Sequence, residues 1–165
     1  MTQHDSSTME TQHPNVVAVQ EALRAAGVAG QIRILPEAVP TAAAAAAALG
    51  VEVGQIANSL VFDADGSPLL VLTSGAHRVN TAKVAALIGA TTVRRASPEF
   101  VRSHTGQPIG GVAPVGHPAP LPTLVDQALA QYDVIWAAAG IPRSIFPTTF
   151  EELVRLTKGT PAEVA

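Results

Sequence analysis

Cysteine is absent from the 165 residues. The chain therefore has no disulfide, no thiolate nucleophile and no sulfur ligand for a metal. Aromatic residues contribute only 4% and charged residues only 14%. No apolar run approaches the roughly 20 residues needed to cross a bilayer. The opening stretch MTQHDSSTMETQH is polar and lacks the basic-then-apolar order of a signal peptide. The expectation is a cytoplasmic protein with no membrane partner. A net charge of −3 argues against a general nucleic-acid coat protein.

What is abundant is apolar: 47% of residues, much of it alanine, including the run at 42–48. That fits a well-buried α+β globule. We expect residues 1–13 to be a disordered leader and residues 14–165 to form one domain. The few charges are unevenly placed. Arg78, Lys83, Arg94, Arg95 and Arg102 fall between His77 and His104, with Glu99 the only acid among them. Such a face can hold one short stretch of phosphate backbone, or it can be an ordinary solvated surface.

Along the chain, Val16, Val19, Leu23 and Ala26 recur at helical spacing up to Gly27. Residues 31–35 form a strand candidate. Thr41 caps a helix over the alanines, and Gly50 stops it. Residues 56–62 and 68–73 are β-type runs joined by Asp63-Ala64-Asp65-Gly66-Ser67, which is hairpin chemistry. A helix over 79–88, a strand over 91–94 and a short helix capped by Ser97 follow. TGQPIGGVAPVGHPAPLP (105–122) is too rich in glycine and proline for a regular element. Strands over 121–125 and 132–138 flank a short helix near 127–130. Thr149 caps a closing helix over 150–157, and residues 162–165 read as a tail. The irregular interleaving predicts a mixed, partly closed, barrel-like sheet with helices outside it.

Familiar catalytic signatures are missing. Ser74 lies in Leu72-Thr73-Ser74-Gly75-Ala76, without the flanking glycines of a nucleophile elbow. There is no P-loop and no G-x-G-x-x-G after a strand. His4, His13, His77, His104 and His117 show no metal-binding spacing, so neither a metal nor another cofactor is expected. Ser74, His77 and Asp126 make a triad on paper only. The unusual segment is Gly110-Gly111-Val112-Ala113-Pro114. A glycine loop can offer backbone N–H groups to an oxyanion and admit a ligand close to the main chain. It can equally be a surface turn.

From about residue 50 onward the chain resembles the YbaK/ProX family of aminoacyl-tRNA deacylases, relatives of the editing insertion of bacterial prolyl-tRNA synthetases. The stretches that carry the resemblance are IANSLVF (56–62), LVLTSGAHRVN (70–80), KVAALIGA (83–90), GGVAPVG (110–116), LPTLVD (121–126), AAAG (137–140) and ELVRLTKGTPAEVA (152–165). The family's G-x-x-x-P motif falls on Gly110 and Pro114.

The resemblance implies a pocket for the aminoacyl-adenosine end of tRNA and hydrolysis of a mischarged ester carrying a small amino acid. It implies substrate-assisted chemistry, with Asn58 and Gly110 as catalytic positions. Ser59, Ser74, Gly75, His77, Gly111, Pro114, Asp126, Ala138 and Gly140 fall on its substrate-binding stretches. Arg78, Lys83, Arg94, Arg95 and Arg102 are the candidates for contact with tRNA. The implied partners are the acceptor end of aminoacyl-tRNA and an aminoacyl-tRNA synthetase, with the chain itself either a monomer or a homodimer. Three positions depart from the family pattern: its lysine is Asn58, its serine before the glycine pair is Ala138, and its later acid falls at Ile145. These departures leave open a family member that binds the same end of tRNA without hydrolysing it. A small-molecule esterase and a structural interaction domain are the readings from other classes.

Overall fold

A computed structural model of the chain describes residues 12–165; the expected leader, apart from its last two residues, lies outside them. The first helix, α1 (Pro14–Ala25), starts where expected. Proline occupies its first turn, and the His13 ring accepts a hydrogen bond from the Asn15 N–H. Val16, Val19 and Leu23 bury its inner stripe. After β1 (Arg33–Ile34), Thr41 caps α2 (Ala42–Leu49) by accepting the Ala44 N–H, and Gly50 ends it at φ +68°. Helix α2 owes its fit to alanine. Ala45 and Ala46 lie against Ile56 with Trp136 alongside, a close approach that larger side chains would prevent.

β2 (Ala57–Ala64) and β3 (Ser67–Ser74) form the expected hairpin, but with a tighter turn. Asp65 and Gly66, at φ 51° and 90°, are its only loop residues, so the strands extend further than predicted. The Asp65 carboxylate accepts the N–H groups of Thr91 and Thr92. These bonds hold its pKa below the usual carboxylate value and tie the turn to β4 (Val93–Arg95).

Helices α3 (Thr81–Ile88) and α4 (Pro98–Thr105) flank β4 in sequence, capped by Asn80 and Ser97. Then come β5 (Thr123–Asp126), the expected short helix, which is of the 3₁₀ type (Gln127–Gln131), β6 (Ile135–Ala138) and β7 (Ser144–Thr148). Helix α5 (Phe150–Thr157) and β8 (Thr160–Ala162) close the described chain.

The strands form two sheets. One is mixed, in the order β4-β2-β3-β5-β8, with β3, β5 and β8 parallel; the other is antiparallel, β1-β7-β6. β7 and β8 were not anticipated, and within the supposed tail Val164 is fully buried. The main core lies between the sheets, where α1, α4 and α5 contribute Val19, Leu23, Val101 and Leu153 to Leu70, Leu72, Val125, Ile135 and Phe146. A second cluster covers the outer face of the larger sheet, with Phe62, Leu69 and Val71 against Val84 and Ala85 of α3.

The expected barrel-like closure is not found among the described residues. The sheets meet along β2, through a bridge between Ile56 and Trp136. On that same edge β4 reaches β2 only from Phe62 onward, plus the bond from the Ala96 N–H to the Val61 C=O. Between these two contacts the edge of β2 lies open.

Candidate functional site in the open edge of β2

A cavity of about 250 Å³ occupies that opening. All seven residues from Ile56 to Phe62 line it, which is possible because it meets the strand from the side. Alternation puts Asn58 and Ser59 on opposite faces of β2, and for both to reach one ligand from a face of the sheet the strand would need a twist or bulge. The register from Ala57 to Ala64 is unbroken. Access from the edge removes the need for a bulge.

The opposite wall comes from three places. Val39, Pro40 and Thr41 lead into α2; Ile109, Gly110 and Val112 come from the glycine-proline segment; Trp136, Ala137 and Ala138 come from β6. Gly110 has φ +90°, and a Cβ built on it would stand 3.1 Å from the Pro40 Cβ. Glycine is needed here for both reasons.

The segment around Gly110 is not a surface turn. Gly111, Val112, Ala113, Pro114 and Val115 are all buried. Gln107, 1% exposed, holds it from within: its Oε1 accepts the Ala113 N–H at 2.8 Å and its Nε2 donates to the Val115 C=O at 3.3 Å. His117 Nε2 lies 2.8 Å from the Ala113 carbonyl, and burial pushes the His117 pKa below its ordinary value.

Electrostatically the cavity is nearly neutral. Arg95 is the one charged residue among those lining it, and no histidine, aspartate or glutamate is present. Among the described residues the Asn58 amide makes no hydrogen bond. The Ser59 hydroxyl is buried without a partner. Ser144, also in the wall, is already engaged with the Ile141 backbone. No serine here has a base to activate it.

The other expected site residues lie elsewhere. Asp126, 2% exposed, accepts the Ser74 N–H, the Thr73 hydroxyl and the Ala128 N–H, and its Oδ2 lies 2.9 Å from His77 Nδ1. The Ser74 hydroxyl donates to the Gly54 C=O. Ser74 and His77 thus share Asp126 without forming a nucleophile–base pair. This network, with Gly75 packed against Val53, fixes the turn beyond β3 and lines no part of the cavity. Gly111 is pinned under Ile141 and Pro142, and Gly140 under Asn15, whose amide donates to the Gly140 C=O. Both glycines allow close packing, and Pro114 is buried away from the wall. Of the five cations, only Arg95 borders the cavity. Arg94 pairs with Asp63 at 3.8 Å and Lys83 with Glu163 at 3.5 Å, whereas Arg78 and Arg102 are exposed.

Residues 36–156 match the model of the aminoacyl-tRNA editing domain, a span that includes every residue of the cavity wall. The chain belongs to that family. Among solved structures, this editing domain superposes on a candidate trans-editing enzyme for prolyl tRNA synthetase, with a TM-score of 0.85 and 43% identity over 92% of this chain and 96% of that one. A hypothetical protein gives a TM-score of 0.83 at 30% identity, covering 89% and 98%. Curated relatives include the proline–tRNA ligases of Bacillus licheniformis, 32% identical over 134 residues, and Geobacter sulfurreducens, 31% identical over 122. These matches take in 75% and 68% of this chain but only 23% and 21% of the ligases. Among the described residues no helix is long and apolar enough to cross a membrane.

Two features of the editing-domain site escaped the sequence reading. Trp136, the single tryptophan, forms part of the wall with the Arg33 guanidinium 5.6 Å from its ring centre. The bridge to Ile56, just ahead of β2, brings it there. Gln107 supports the Gly110 wall from the core, and a glutamine in a Gly/Pro-rich stretch carries no signal of burial.

Proposed function

We propose that this cavity takes the aminoacyl-adenosine end of a mischarged tRNA and hydrolyses its ester, the acyl group being a small amino acid such as alanine, serine, threonine or cysteine. The observation that carries this reading is the cavity between Asn58, Ser59 and Gly110, which holds no histidine or carboxylate base among the described residues and has Arg95 as its one charged residue. A site without an activated side-chain nucleophile suits a bond that is already labile. Much of the acceleration can then come from positioning and from fixed hydrogen-bond donors. In this reading the terminal ribose hydroxyl and an ordered water supply the reacting oxygen and relay its proton. The Gly110 loop lets the ester approach the backbone, and the Asn58 amide donates to a hydroxyl or phosphate oxygen of the terminal nucleotide. Arg95, at the Phe62 end of the cavity, meets the phosphate backbone of the acceptor stem, with exposed Arg102 further out. The tRNA is shared with a synthetase of the prolyl type in the cytoplasm, and residues 14–165 act as one domain.

The experiment is acyl release from a panel of preformed mischarged tRNAs carrying each of the four amino acids. Release of at least one acyl group well above its spontaneous rate supports the reading. Tight binding of an aminoacyl-adenosine analogue, with no release from any tRNA, replaces it with a binding protein that has lost hydrolysis.

A further inference from the structure

The open edge of β2 has a more specific consequence, which rests on the deacylase reading. The Gly75 N–H bonds the Ile56 C=O, so even-numbered residues of β2 turn their backbone groups toward β3. Odd-numbered residues turn theirs the other way. On that outer edge, Val61 is taken by Ala96, Asp63 faces Arg94, and the Ile56–Trp136 bridge closes the far end. Ala57 adjoins that bridge, which leaves Ser59 as the outward-turned residue between it and Val61. Among the described residues neither its N–H nor its C=O has a partner outside the strand pairing, and its buried hydroxyl has none either. Backbone groups so placed ordinarily find a partner.

The complement of one outward-turned strand residue is one N–Cα–C=O unit, presenting a donor and an acceptor side by side. An aminoacyl ester carries one such unit. We propose that Ser59 recognises the substrate by strand-like pairing, its C=O accepting from the α-ammonium group and its N–H donating to the ester carbonyl. The gap accommodates one residue, because Ala96 and Trp136 close it on either side. The ligand class is therefore an ester of an amino acid with a free α-amino group. An acyl group without that nitrogen leaves the Ser59 C=O unpaired.

The test compares tRNA carrying L-alanyl with the same tRNA carrying propionyl, which lacks the amino group. A charge-assisted hydrogen bond in a desolvated site corresponds to a loss in kcat/KM of roughly 10- to 150-fold. Ser59→Ala, which keeps both backbone groups, should retain the preference for L-alanyl. In parallel, the ¹⁵N amide resonance of Ser59 is followed during titration with the non-hydrolysable 3′-L-alanylamido adenosine. It should shift downfield and gain protection from exchange, and should do neither with the propionyl analogue. Equal rates for the two esters within threefold would overturn the pairing, as would a Ser59 amide indifferent to the alanyl analogue. If no ester is hydrolysed, the deacylase reading fails and the amide titration still decides the pairing.

Discussion

Gly110 is the position where backbone geometry and proposed chemistry meet most closely, and Gly110→Ala separates them. The residue sits at φ +90°, a region that costs an L side chain about 1–3 kcal/mol. The new Cβ would also stand 3.1 Å from Pro40 Cβ and 3.3 Å from Pro40 Cα, so the Pro40 turn must give by a few tenths of an ångström. Together these effects should destabilise the fold by about 2–3 kcal/mol, or roughly 4–12 °C in Tm for a domain of this size. A surface turn at this place would imply only a modest loss. Burial of Val112, Ala113 and Val115 makes it part of the core. Scanning calorimetry gives Tm. Single-turnover acyl release, measured at least 20 °C below that Tm, gives the rate per folded molecule, which should fall more than tenfold as the wall moves into the path of the ester. An unchanged Tm would refute the strain argument. A full rate on the folded fraction would remove Gly110 from the site.

Other expectations follow from neighbouring groups. Asn58→Ala should slow acyl release about tenfold by removing one hydrogen bond to the substrate, with Tm unchanged because the amide has no partner among the described residues; Asn58→Lys should retain or raise the rate. Arg102→Glu, on the exposed face of α4, should weaken tRNA binding and flatten its salt dependence while sparing a minimal aminoacyl-adenosine ester, as parallel binding and hydrolysis assays would report. For His117 the sign is fixed by burial. Its folded pKa lies below the ordinary 6.5, so the unfolded chain takes up the proton first and stability falls as pH drops from about 6.5 toward the lower folded value. Denaturant midpoints between pH 7.5 and 5 should show this decline, and His117→Gln should reduce it.

Sequence patterns located most of the elements because their signals are local. Thr41, Ser97 and Thr149 cap helices where expected, and Gly50 and Gly89 end them in left-handed conformations. β7 and β8 lacked such signals. Each carries a proline, Pro147 and Pro161, which reads as a strand breaker. β8 is a three-residue edge strand that needs few N–H donors. The site divides in the same way. Asn58, Ser59, Gly110 and Ala138 line one cavity, and Arg95, read from the sequence as a contact for tRNA, lines it too. Ser74, His77 and Asp126 are drawn together by the parallel pairing of β3 with β5 and form a structural knot beyond it. Periodicity specifies the faces of a strand. Which part of an edge stays open depends on how far β4 and β6 extend beside β2, and that is set by packing across the whole chain.

The central claim is that hydrolysis takes place in the cavity beside β2 and does not use the Asp126 network. The measurement is single-turnover release of alanine from mischarged tRNA by the unmodified chain, by Ala138→Leu, which adds bulk to the cavity wall, and by His77→Gln, which alters the network. Release by the unmodified chain should run well above spontaneous hydrolysis, Ala138→Leu should lose more than tenfold, and His77→Gln should stay within threefold of the unmodified chain. Full activity in Ala138→Leu with loss in folded His77→Gln would contradict it.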